Sequence, residues 1–231
     1  MTNQYDNYLA AAFEGEGQYE PKIKQFFNNY YRFFPKEKTA RILDIGPGRG
    51  EMLTCLANQG FSNIESVDIS ESVVKFVSQL GYKISKSDDL EIFLSSYSDT
   101  FDMITMCDVV EHIPKNQILG VMEAVRKSLK DAGLLIVQVP NMQSVTANIF
   151  RYDDFTHEMG YTERSLTQML KIVGFSTITN YGFEFFDNKL SSKIKSVLRS
   201  CLWLCVKIIR KINGTMPHRI MHPVFFAIVK K

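Results

Sequence analysis

Three groups of residues in this 231-residue chain combine types and spacing that can do chemistry. The first is Arg41-Ile-Leu-Asp-Ile-Gly-Pro-Gly-Arg-Gly50, an apolar strand pattern running into a glycine turn that opens a helix. Glycines at 46, 48 and 50 allow tight backbone geometry and close approach of a ligand, and the helix behind them offers free N–H groups. The second is Asp68 in Val67-Asp-Ile-Ser70, at the end of the next strand pattern, where a carboxylate can accept both hydroxyls of a ribose. It lies eighteen residues beyond Gly50, near the ~20 expected of an acid in a nucleotide-binding βαβ unit. Gly50 follows Gly48 by two residues rather than the three of a dinucleotide fingerprint, which disfavours an oxidoreductase. The third is Asp108, Glu111 and His112, directly after a strand pattern and so at the carboxyl edge of a sheet. Spaced i, i+3 and i+4, they share a face where the chain turns helically. Such donors can bind a divalent cation: carboxylates favour magnesium or manganese, and imidazole admits zinc or iron. A plainer alternative has Asp108 meeting a ligand, Glu111 serving as a helix-N-terminal acid and His112 packing before Pro114.

These groups need a scaffold that gathers strand ends at one edge. Strand-like runs at 41–45, 64–69, 82–84, 103–107 and 134–139 alternate with helix-like runs at 51–59, 72–80, 90–95 and 117–129. That rhythm predicts an α/β fold with a parallel sheet wound by helices. Gly133 marks the helix-to-strand turn before the fifth strand and Pro140 ends that strand. The stretch from Pro140 to Tyr161 lacks periodicity, which inside a compact domain points to a functional loop. A helix over 163–173 and strands over 176–186 and 223–231 follow. Before the first strand, the aromatics of 22–34 recur at helical spacing and predict a helix that packs on the domain or covers it.

The motifs together resemble those of class I S-adenosylmethionine-dependent methyltransferases. Leu43-Asp-Ile-Gly-Pro-Gly-Arg-Gly50, Val67-Asp68 and Phe101-Asp-Met-Ile-Thr-Met-Cys-Asp-Val-Val-Glu-His112 follow in that family's order over about residues 40–186. The resemblance implies a Rossmann-like doubly wound sheet of about seven strands whose last strand is antiparallel. It also implies that Asp44, Gly46, Gly48 and Gly50 cradle the methionine end of S-adenosylmethionine, that Asp68 holds its ribose, that Asp88, Asp89 and Leu90 flank its adenine, and that Asp108 meets it. Asp108-Val-Val-Glu111-His112 is further similar to the acid-x-x-Glu-His motif of ubiquinone-biosynthesis O-methyltransferases and small-RNA 2′-O-methyltransferases, which ligates a divalent metal with a later histidine. Phe155-Thr-His-Glu-Met-Gly-Tyr-Thr162 resembles the segment carrying that histidine, so Asp108, Glu111, His112 and His157 are the implied metal set. Asp108 departs from the usual Glu and has a shorter arm. Glu111, His112 and His157 are the candidate catalytic residues, as cation ligands or as a general base at an acceptor hydroxyl. Residues 141–164 resemble methyltransferases of bacterial surface polysaccharide assembly, which implies a sugar or lipid-linked glycan acceptor. Tyr152 and Phe155 would stack on sugar rings, and Arg151, Asp153 and Asp154 would bond hydroxyls. The alternatives are RNA 2′-O- or quinone-precursor O-methylation, and a non-catalytic methyltransferase-fold scaffold at a membrane.

Charge divides the chain unevenly. Residues 1–188 carry seventeen bases and twenty-five acids, whereas 189–231 carry ten bases and no acid. Over 193–212, Ile194, Val197, Leu198, Cys201, Leu202, Cys205, Ile208, Ile209 and Ile212 follow the i, i+3, i+4 rhythm, with Lys and Arg filling much of the remainder. A basic amphipathic helix of this kind, with Trp203 near its boundary, suits an anionic membrane surface; the alternatives are that the stripe packs on the domain or on a second subunit and that the charges form a solvated face. RNA binding by electrostatics alone would not require so clean a stripe. The expected organisation is an N-terminal helical lid (1–38), a cofactor-binding core (39–187), an amphipathic helical insertion (188–222) and a final core strand (223–231). The start has neither the basic residues nor the apolar run of a secretory signal, and the four cysteines lack metal or disulfide spacing and are expected to be buried. The expected location is the cytoplasm, peripheral on the inner face of the membrane.

Overall fold

A computed structural model of the chain describes residues 17–185, 190–215 and 219–231. Residues 1–16 of the expected lid, the boundary at 187/188, the side chain of Lys193 and residues 216–218 of the insertion lie outside the described residues. The strands are β1 (Ile42–Ile45), β2 (Ile64–Asp68), β3 (Lys83–Lys86), β4 (Phe101–Cys107), β5 (Leu129–Pro140), β6 (Thr177–Gly182) and β7 (Val224–Lys230). They form a seven-stranded sheet in the order β3-β2-β1-β4-β5-β7-β6. β1 to β5 are parallel, and β7 runs antiparallel between β5 and β6. The order reverses between β1 and β4, where a parallel sheet opens a crevice at its carboxyl edge. Asp44 on β1 lies opposite Thr105 on β4, so the glycine turn and the Asp108 segment leave the sheet side by side.

The helices are α1 (Glu20–Tyr30), α2 (Glu51–Asn58), α3 (Glu71–Gln79), α4 (Leu90–Ser95), α5 (Ile118–Ser128), α6 (Ala147–Tyr152), α7 (Glu163–Ile172) and α8 (Leu190–Ile212). Strand residues alternate between two apolar layers. Leu135, Val137, Phe225 and Ala227 meet α5 and α7 on one face, while Ile136, Phe226 and Ile228 meet Ile23, Phe26 and Tyr30 of α1 on the other. The helix α1, expected to pack on the domain or cover it, packs as a layer of its core, and Lys22 and Phe26 also face the cleft at the carboxyl edge of the sheet. Its aromatic rings lie against Phe183 and Phe226 at centroid separations of 4.8 to 6.3 Å.

Several expectations are corrected. Gly133 does not separate helix from strand: β5 begins at Leu129, and Lys130–Gly133 form an irregularity across which the register with β4 shifts. A side chain at Gly133 would lie 2.8 Å from the Lys130 carbonyl. The sixth strand, expected to reach 186, ends at Gly182, with Phe183 N making one further bond to Val224 O; residues 183–185 lie outside it and residue 186 lies outside the described residues. The loop after β5 contains a short helix, α6, and is tied at its base by the Asn141–Tyr161 bridge. Cys201 and Cys205 are exposed, so only Cys55 meets the expectation of burial in full. The apolar stripe of α8 does not dock on the body; Arg199, Trp203, Val206 and Arg210 do, and the stripe points away.

Candidate active site

A cleft of about 550 Å³ opens at the carboxyl edge of β1, β2 and β4, within the ~300–1,000 Å³ of small-molecule sites. Its floor is Asp44, which is buried and accepts a 2.6 Å hydrogen bond from the Thr105 hydroxyl through Oδ1. Asp44 Oδ2 is buried with no hydrogen-bond partner among the described residues. Burial lifts its carboxyl to about 7, with the charge of Glu51 adding to the rise. Beside it the glycine turn presses against the Asp108 segment. Gly46 has φ +68°, and a Cβ there would lie 2.5 Å from Val109 Cγ2. Only glycine fits both constraints.

Asp68 closes the next wall. Its Oδ1 accepts from Ser70 N at 2.8 Å, and burial raises its pKa to about 6. Asp88, Asp89 and Leu90 line the far end of the cleft. The Asp88 carboxylate pairs with Lys86 at 2.7 Å, and Asp89 Oδ1 caps α4 by accepting from Ile92 N at 2.9 Å. These acids therefore shape the wall as much as they offer it charge. Gly48 lines the cleft, but Gly50 does not. Gly50 is instead the left-handed residue (φ +75°) that starts α2, with its carbonyl accepting from Gln18 Nε2 at 2.9 Å. It positions the turn from behind.

Asp108 is placed apart from the other members of its motif. It adopts φ +58°, uncommon for a residue with a side chain. Both its carboxylate oxygens accept from Gln138 Nε2, at 2.9 and 2.8 Å, and Lys22 Nζ stands 3.7 Å away. Gln138 Oε1 in turn accepts from the buried Tyr30 hydroxyl. Lys22, Tyr30 and Gln138 thus form the surroundings of Asp108, and the local motifs do not reveal them. Gln138 does leave one signal: an amide inside the apolar run of β5 requires a buried polar partner.

Glu111, His112 and His157 come together without Asp108. One donor atom from each lies within 4.8 Å of the others, and the two rings sit 4.7 Å apart. Val110–His112 form a single 3₁₀ turn that carries Glu111 and His112. The loop after β5 folds onto that turn, with Glu158 N and Met159 N donating to Glu111 O at 2.8 and 3.0 Å. His157 Nδ1–H donates to Phe150 O at 2.8 Å, which fixes the tautomer and leaves the lone pair on Nε2. Thr156 donates its hydroxyl proton to Asp154 (2.6 Å) and accepts from His112 Nδ1–H (2.8 Å), so His112 also carries its lone pair on Nε2. Burial, and then the His157 ring, hold His112 below the ordinary histidine range. Both Glu111 carboxyl oxygens are buried without hydrogen-bond partners among the described residues, and burial followed by Asp108's charge pushes its pKa well up. An unpaired buried carboxylate is costly, so the pocket demands a proton or a cation there. His112 is shared between this cluster and the cleft wall. Arg151 and Asp154, expected at acceptor hydroxyls, are occupied instead: Arg151 bonds the carbonyls of His157 and Glu158, and Asp154 bonds Thr156. Tyr152 and Phe155 are exposed, at 77% and 95%.

Residues 17–180, well over half the chain, match the protein family described as "Methyltransferase domain". The chain belongs to that family. This methyltransferase-domain protein is 29% identical over 110 residues to a ubiquinone biosynthesis O-methyltransferase of Xylella fastidiosa (strain 9a5c), covering 44% of this chain and 42% of that protein. It is 31% identical over 108 residues to YqeM of Bacillus subtilis (strain 168), a methyltransferase by name, covering 43% and 42%. The chain thus spans less than half the length of these curated relatives. A SAM-dependent methyltransferase structure from Archaeoglobus fulgidus superposes with TM-score 0.72 at 23% identity, over 99% of this chain and 100% of that one. The architecture is shared end to end. S-adenosylmethionine is the cofactor the family implies, and the cleft fits it in two respects: an orphaned anionic oxygen at Asp44 suits an ammonium group, and the Gly46 turn admits close backbone approach.

Proposed function

We propose that the protein transfers a methyl group from S-adenosylmethionine to an oxygen of a hydroxylated acceptor, a sugar of a polysaccharide or lipid-linked glycan. The observation that carries this reading is the Glu111–His112–His157 cluster beside the cleft, with both imidazole lone pairs on Nε2. Bound in the cleft, the cofactor supplies a methyl already activated on a sulfonium, so positioning and proton removal are what the protein must add. Asp44 and the Gly46–Gly48 turn would hold its methionine end, Asp68 its ribose and the Asp88–Leu90 wall its adenine. A hydroxyl is a weak nucleophile at neutral pH; His157 Nε2, on a ring that Phe150 O orients through Nδ1, would take its proton as the oxygen attacks.

The same three atoms are a donor set for a divalent cation, which would supply Lewis acidity at the acceptor oxygen. With Asp108 turned to Gln138, the set is two imidazoles and one carboxylate, which suits manganese, zinc or iron better than magnesium. The exposed rings of Tyr152 and Phe155, on the loop that carries His157, support a sugar acceptor. The match to a ubiquinone biosynthesis O-methyltransferase supports a second reading over the same residues, a phenolic quinone precursor. Labelled-methyl transfer from S-adenosylmethionine into glycolipid, phenolic and RNA pools tests both. Label in the glycolipid pool is expected; label confined to the phenolic pool selects the second reading, and label only in RNA refutes both.

A further inference from the structure

We propose that α8 lies flat on an anionic lipid bilayer through the apolar stripe it turns away from the protein. Its attachment is the reverse of what burial of apolar surface alone would produce. The helix holds to the body by its polar side: Arg199 pairs with Glu184 at 3.4 Å, Trp203 meets the His222 ring at 4.6 Å, and Arg210 donates to Gln143 O at 2.6 Å. Trp203, expected at a lipid boundary, is one of these anchors. On the opposite side Val197, Leu198, Leu204 and Ile212 are exposed at 64%, 63%, 59% and 78%. A 23-residue helix is roughly 34 Å long at ~1.5 Å per residue, so the stripe is an extended surface for which apolar cover would be strongly favourable.

Charge selects the occupant. Lys195, Lys207 and Lys211 are exposed, none has a partner among the described residues, and no acid occurs from Lys189 to Lys231. A second copy docked stripe to stripe would set these lysines beside their own kind with no carboxylate of the helix to offset them. Nucleic acid would neutralise the lysines but leave the apolar stripe in water. An anionic bilayer answers both: acyl chains cover the stripe while lysines at its flanks meet headgroup phosphates. No helix among the described residues is long and apolar enough to cross a membrane, so the fitting geometry is in the plane of the surface. Through Gln143 the helix is also fixed to the root of the loop that carries His157, which would bring the candidate active site close to the lipid surface.

The test is flotation of the full chain with vesicles of equimolar phosphatidylcholine and phosphatidylglycerol, beside pure phosphatidylcholine. Flotation is expected only with the anionic vesicles. Leu198→Glu and Ile208→Glu should each weaken partitioning by about ten-fold or more, the scale of one lost buried aliphatic side chain. Lys207→Gln should weaken it about five-fold at low salt. Because these side chains are exposed, thermal melting and cofactor binding should not change, and Leu198→Met should float normally. Equal flotation on neutral vesicles, no flotation, or flotation indifferent to Leu198→Glu would overturn the proposal. A concentration-dependent dimer dissolved by Leu198→Glu, without vesicle binding, would assign the stripe to a second copy and overturn it equally.

Discussion

Replacing Asp44 by Asn should stabilise the cofactor-free protein while weakening its hold on the cofactor. Asp44 is buried, with one oxygen bonded to Thr105 and the other unpartnered, and its pKa rises from 3.8 to about 7, chiefly through burial. A carboxyl whose folded pKa is raised contributes its full stability below about 3.8 and loses it as pH climbs through about 7. At ~1.4 kcal/mol per unit, the ionised group costs at most about 4 kcal/mol at pH 8 and about 2 kcal/mol at pH 5.5. Asn keeps an acceptor for Thr105 and removes the titration. The melting temperature of Asp44→Asn should therefore exceed that of the wild type at pH 8. The gap should shrink by about 4–8 °C at pH 5.5, taking 2–4 °C per kcal/mol for a domain of this size. Saturating S-adenosylmethionine should reverse the order at pH 8, since its ammonium would offset the ionised Asp44 and not Asn. Paired thermal melts at the two pH values, with and without cofactor, measure all of this. A gap independent of pH would rule out a carboxyl raised by burial at Asp44, and a cofactor that stabilises both proteins alike would rule out its ammonium meeting that carboxylate.

Three further substitutions probe the surrounding machinery. Gly46→Ala places a Cβ 2.5 Å from Val109 Cγ2 in a left-handed backbone; cofactor affinity by calorimetry should fall sharply, and Val109→Ala should restore part of it, whereas no rescue would show that backbone strain alone is responsible. Gln138→Leu removes the acceptor of the buried Tyr30 hydroxyl and the amide donor of Asp108, which keeps Lys22 at 3.7 Å; chemical denaturation should show a loss of about 1–3 kcal/mol for the buried hydroxyl left without that acceptor. His157→Ala should lower turnover by about 10²–10⁴, the range of a general acid–base group, with S-adenosylmethionine affinity unchanged in the same preparation.

The parts of the site legible in the sequence are those made by short segments. The Asp44–Gly48 turn and Asp68 announce themselves because glycines and acids at strand ends have local meaning, and the alternation of runs fixes which edge they share. Glu111 and His157 meet only because the loop after β5 folds back through backbone hydrogen bonds to Glu111 O, and residue spacing alone does not encode that return; the motif resemblance suggested it. Periodicity puts Asp108 on one face with Glu111 and His112, and the resemblance implies it as a metal ligand, but the segment makes one 3₁₀ turn after a left-handed residue rather than a continuous helix, and Asp108 meets Gln138 instead. Helical periodicity likewise revealed that α8 has two faces without saying which one docks. Glu184 and the Gln143 carbonyl decide that, by offering Arg199 and Arg210 partners that no aliphatic side chain could use.

The most direct measurement is recovery of labelled methyl from an acceptor after reaction with S-adenosylmethionine, comparing wild type with Glu111→Gln and His157→Ala. Label is expected in an O-methyl ether for the wild type, and is expected to be nearly absent from both variants while they still bind cofactor. Label on nitrogen or carbon, or full turnover by either variant, would contradict the proposed function.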